Sequence, residues 1–186
     1  MDSSASVNAE TSRLAVFAGS LVMAVILGGC QSQVSRIAAI TTVEVVEPVT
    51  IPSNRARAVF HQGQQVDGAY PYDLYCELEV SSVSPLPQRI DKDLFVVGRT
   101  GSAFLSAADS RLPIGGPFVE VNCGDLIFYE VEYRLASDIQ PGVRKIRCLQ
   151  GFNACEEGVV PPTIESIADT LGPSFILSGD GSVPVR

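Results

Sequence analysis

Reactive side chains are few in this 186-residue sequence: five cysteines, a single histidine and three acid pairs spaced two residues apart. A serine or cysteine hydrolase needs a nucleophile beside a base, and His61 is the one imidazole available. Its parity with Arg55 and Arg57 puts it on the solvent side of a strand. No G-x-S-x-G, S-x-x-K or H-E-x-x-H pattern occurs, and no glycine-rich phosphate loop. Two carboxyls can divide acid and base work on a glycan, so Glu77/Glu79, Asp91/Asp93 and Glu130/Glu132 are the remaining candidates. On a strand, however, residues i and i+2 share one face, the ordinary solvated face of an antiparallel strand. Calcium asks for several acids in one loop with a glycine, and Asp180-Gly181 is too sparse for that. The expectation is no catalytic residue, no metal ligand and no cofactor.

The cysteines suggest a different chemistry. Setting Cys30 aside, Cys76, Cys123, Cys148 and Cys155 are even in number, as in an exported domain with two disulfides. Zinc favours close pairs such as C-x₂-C, and no such pair exists here. Cys76 alternates with Leu78 and Val80, and Cys148 with Ile146, so both face inward. Cys123 falls in the turn Asn122-Cys123-Gly124-Asp125, and Cys155 in the loop 153–157. Joining core to core and loop to loop gives Cys76–Cys148 and Cys123–Cys155. The rival pairing joins Cys148 to Cys155 and leaves Cys76 to reach Cys123.

Strands must carry most of these residues. Ile127, Tyr129, Val131, Tyr133 and Leu135 share one strand face, with Glu130, Glu132 and Arg134 on the other. Ala56, Ala58 and Phe60 repeat the alternation, Thr41–Val49 is rich in β-branched residues, and Leu94–Val97 reads as a short strand covered on both sides. Twelve prolines and 16 glycines punctuate these runs. One helix is expected, capped by Thr163, with Ile164, Ile167, Ala168 and Leu171 as its apolar stripe and Gly172-Pro173 as its stop. Phe175–Leu177 reads as a last short strand. The fold class is mainly β: a small antiparallel sandwich or barrel-like domain over residues 41–177 with one short C-terminal helix, followed by a flexible tail at 178–186.

Residues 14–27 (LAVFAGSLVMAVIL) carry no charge and are followed by Gly28-Gly29-Cys30. A run this short, closed by small residues, has the pattern of a secretory signal rather than a membrane span. Leu27-Gly28-Gly29-Cys30 resembles the lipobox of bacterial prolipoproteins. The resemblance implies a signal peptide at 1–29, cleavage before Cys30, and lipids on the Cys30 sulfur and its new amino group. Several acyl chains anchor far more firmly than one, at about 0.8 kcal/mol per buried methylene. Gln31, where an aspartate tends to retain such proteins at the inner membrane, implies the outer membrane. Residues 30–40 would be the tether, and ten extended residues keep the domain within about 35 Å of the bilayer. The scattered set Ile51-Pro52, Ala56-Arg57, Tyr72, Cys76, Glu79-Val80, Phe95, Val97, Arg144 and Cys148 resembles a group of uncharacterised small proteobacterial lipoproteins. That likeness implies architecture and location, and no activity.

Charge narrows the partners. Thirteen Lys and Arg against 21 Asp and Glu give a net charge of −8, unsuited to nucleic acid, whose phosphates demand cations. The reading is a non-enzymatic binding or scaffolding lipoprotein at the periplasmic face of the outer membrane, partnered by the membrane through Cys30 and by another envelope protein. The alternative is a lipid-tethered hydrolase of cell-wall or glycan polymer using two carboxylates in a cleft.

Overall fold

The computed structural model describes residues 39–68, 70–106, 123–155 and 160–179. The leader 1–29, Cys30, residues 31–38 of the tether and residues 180–186 lie outside the described residues. Strands dominate: β1 (Ile40–Val45), β2 (Val49–Ile51), β3 (Arg57–His61), β4 (Gln64–Val66), β5 (Tyr75–Val80), β6 (Gln88–Ile90), β7 (Asp93–Ser106), β8 (Leu126–Ala136), β9 (Val143–Asn153) and β10 (Phe175–Gly179), with one helix, α1 (Ile164–Leu171), before β10.

Eight strands form one antiparallel sheet in the order β10-β1-β7-β8-β9-β5-β3-β4, and β2 pairs with β6 apart from it. The long sheet curls into a half-barrel, so the barrel-like form holds and the sandwich does not. Its concave face is the core. Cys76, Leu78, Phe95, Val131, Tyr133, Ile146 and Cys148 are all buried there, drawn in by the period-two alternation of each strand.

The open side of the curl is closed from within. Phe60 on β3 meets Phe175 on β10 edge to face, with centroids 5.1 Å apart. Helix α1 packs against β3, β4, β5 and β10 and buries Ile167, Ala168, Thr170 and Leu171. Thr163 caps it as expected, accepting a hydrogen bond from the Ser166 amide at 3.2 Å. The β3–β4 turn uses Gln62 and Gly63, both at positive φ, and the Gly63 amide bonds to the Thr170 carbonyl at 3.1 Å. Hairpin turn and helix end are thereby joined backbone to backbone.

Three sequence expectations need correction. The tail expected from residue 178 begins inside β10, where Ser178 and Gly179 pair with Thr42 and Ile40 of β1. Leu94 and Val96 are more than half exposed, because the outer face of β7 is uncovered there. Phe95 alone of that run is fully buried. The strand also continues to Ser106, through Gly98 and Gly101, since β8 offers a ladder over that whole length.

Both disulfides of the core-with-core, loop-with-loop scheme are present. Cys76 and Cys148 stand directly opposite one another on β5 and β9, with Cα atoms 4.0 Å apart. Cys123 is bonded to Cys155, with Cα atoms 5.0 Å apart, where β8 begins and β9 ends.

Candidate functional site

The convex face of β3, β5, β9 and β8 carries a lattice of alternating charge. Strand register builds it, setting Glu77 opposite Arg147, Glu79 opposite Lys145 and Arg147 opposite Glu132. In one row Arg57 Nη1 donates to both Glu77 oxygens, at 3.2 and 2.9 Å. Arg147 Nε donates to Glu77 Oε2 at 2.6 Å, and its Nη1 reaches Glu130 Oε2 at 3.5 Å. In the next row Lys145 Nζ lies 3.9 Å from Glu79 Oε2 and 2.7 Å from Glu132 Oε2, whose other oxygen accepts from Arg134 Nε at 3.0 Å.

Glu77 overturns the expectation that this acid pair is simply solvated: the residue is only 6% exposed. A buried carboxylate persists only when paired and hydrogen-bonded, and the two guanidiniums supply that. Burial and Glu77 act in opposition on Arg147: burial favours its neutral form, Glu77 outweighs that, and the guanidinium is held above its usual range. Burial pushes the Glu130 carboxyl up, with Arg147 only partly offsetting it. Glu132 is held below the usual range, because hydrogen bonds from Lys145 and Arg134 outweigh its burial.

The other acid pair is structural. Asp93 accepts from Ser137 Oγ at 2.5 Å and from Gln140 Nε2 at 3.2 Å, which fastens the β8–β9 loop to the start of β7. Asp91 instead pairs with Arg89 at 2.6 Å. His61 keeps the expected parity with Arg57 but is only part-exposed, its Nε2 lying 3.2 Å from Asp73 Oδ2. Among the described residues, no group of three or more His, Cys, Asp or Glu could hold a metal ion. No helix among them is long and apolar enough to cross a membrane.

Beside the lattice lies a hollow of about 520 Å³, within the size range of small-ligand sites. Arg57 and Val59 of β3 and Tyr75 and Glu77 of β5 line it, with Arg55, Asp67 and Val83 from the adjoining loops. Arg55 Nη1 donates to the Asp67 carbonyl at 2.9 Å, spanning from the β2–β3 loop to the segment after β4. Burial raises the Tyr75 phenol, and the Glu77 carboxylate raises it further. The hollow is missing from a strand-by-strand reading because loop residues, Arg55, Asp67 and Val83 among them, complete the walls that the β3 and β5 side chains begin. Glu130 does not line it, so the two carboxyls nearest Arg147 do not share this cavity. Set against protein-family models, curated proteins and solved structures, the chain finds no match in any of the three comparisons.

Proposed function

We propose that the protein is an outer-membrane-anchored lipoprotein whose periplasmic β domain binds or scaffolds another envelope component without catalysing a reaction. The observation that carries this reading is the pair of cystines, one fully buried in the core. Disulfides form and persist in oxidising, exported compartments. The lipobox-like Leu27-Gly28-Gly29-Cys30 ends ten residues before β1 begins at Ile40, which suits a short tether. The acids of the convex lattice each face a cation, an arrangement suited to a rigid surface. Labelling cells with a clickable fatty acid tests the anchor: the wild type takes the label and Cys30→Ser does not. Equal labelling of both sinks the lipoprotein reading.

The raised carboxyl of Glu130 favours the second reading, a tethered carboxylate-dependent hydrolase. Release of soluble fragments from cell-wall polymer by the wild type, and not by Glu130→Gln, would replace binding with catalysis.

A further inference from the structure

Arg55 and Arg57 are anchored in the same way. Each commits its Nη1 to a protein acceptor, the Asp67 carbonyl for Arg55 and the Glu77 carboxylate for Arg57. The Nε and Nη2 groups of both make no hydrogen bond among the described residues. That edge of a guanidinium is a planar two-donor fork, matched to the two oxygens of a carboxylate. Both side chains line the 520 Å³ hollow and remain nearly half exposed, at 45% and 46%.

The surrounding charge leaves room for one anion. Glu77 already receives three hydrogen bonds, from Arg57 and Arg147, so it is compensated within the lattice. Asp67 is the other acid in the wall, but its carboxylate is 96% exposed and 4.0 Å from Arg55, a pair that water screens strongly. Arg55 is thus the least neutralised charge at the hollow. Apolar surface completes it. Val59, Tyr75 and Val83 all line it, and Val83 is 62% exposed.

We propose that this hollow binds a carboxylate ligand with a small branched or flat apolar body. The carboxylate takes the Nε/Nη2 fork of Arg57 with Arg55 alongside, and the apolar body lies on Val59, Tyr75 and Val83. Glu77 acts as a positioning residue: it holds Arg57 from the side opposite the free fork. Water-exposed arginines lose rotamer freedom on gripping a ligand, and this pairing removes much of that loss in advance. The proposal rests on the reading of the domain as a binding module, and it is independent of whether Cys30 is acylated.

The test is calorimetric titration of the full chain in detergent micelles with N-acetylleucine, and with N-acetylleucine amide as its uncharged counterpart. A ligand of this size in an open hollow should bind with a Kd of about 1 mM, and the amide at least about tenfold more weakly. Arg57→Lys keeps a cation for Glu77 and loses the fork, so it should fold normally and weaken the acid about tenfold. Arg55→Gln should weaken the acid and leave the amide unchanged. Equal binding of acid and amide overturns the proposal. So does unaltered affinity in both arginine variants, or no saturation about tenfold above a millimolar Kd. Failure of the fatty-acid label at Cys30 would leave each of these outcomes readable.

Discussion

Gly172→Ala tests how the half-barrel is closed. Gly172 ends α1 with φ 78° and ψ −168°, a region essentially restricted to glycine. Its amide bonds to the Ala168 carbonyl at 2.8 Å, so the conformation is held by the helix end itself. An added Cβ would run into the backbone oxygen, carbon and Cα of Gly63 in the β3–β4 turn. Backbone cannot swing aside as a flexible side chain does. Placing alanine in that conformation costs about 1–3 kcal/mol. Pushing the turn away also gives up the Gly63–Thr170 hydrogen bond, worth about 1 kcal/mol net. The expected loss is therefore about 2–4 kcal/mol, which lowers Tm by roughly 10 °C for a domain of this size. Urea and thermal unfolding followed by circular dichroism measure it. Gly101→Ala is the comparator, since a Cβ there meets nothing within 4 Å and the glycine has no positive φ. A Gly172→Ala protein within about 1 kcal/mol of its parent would refute the close backbone contact.

Two further outcomes follow from the charge lattice. Arg147→Met leaves buried Glu77 with Arg57 alone and takes away the Arg147 contact of Glu130; stability should fall by about 2–3 kcal/mol in urea titration, somewhat less than for a wholly buried pair. Glu132 has a folded pKa below its unfolded value near 4.5, so its stabilisation is present above that value and lost as pH falls through the folded pKa. Glu132→Gln should accordingly cost less than about 1 kcal/mol at neutral pH, and the gap between the two unfolding midpoints should close as pH falls below the ordinary carboxylate range. A difference that grows on acidification would contradict the sign.

Alternation made the concave face legible in advance. Cys76, Leu78 and Val80 point inward because a strand has period two, and their partners Ile146 and Cys148 do so for the same reason. The disulfide scheme followed from that parity. Helix α1 was equally open to reading, with Thr163, the Ile164–Leu171 stripe and Gly172 all local signals. Parity is silent about what lies alongside on the other face. Glu77 carries the pattern of a solvated residue, and its burial comes from Arg57 and Arg147, which are 20 and 70 residues away. Leu94 and Val96 fail in the opposite sense: apolar residues suggested a cover that no other element among the described residues provides. The hollow was beyond reach for a related reason: parity does not show which loops meet beside a pair of strands.

The position of Cys76–Cys148 bears on how the chain folds in time. Strands β3, β4 and β5 are neighbours in sequence, and so are β7, β8 and β9; each group can assemble from near contacts. The β5–β9 ladder is the seam that brings the groups together, and its cysteines are 72 residues apart. Closing so long a loop is a slow entropic step in a β topology like this one. Once the bond has formed, the unfolded chain no longer has to search for that meeting. An oxidised chain therefore re-enters the native fold with the seam between its two groups of strands already joined, whereas a reduced one must find that seam anew each time.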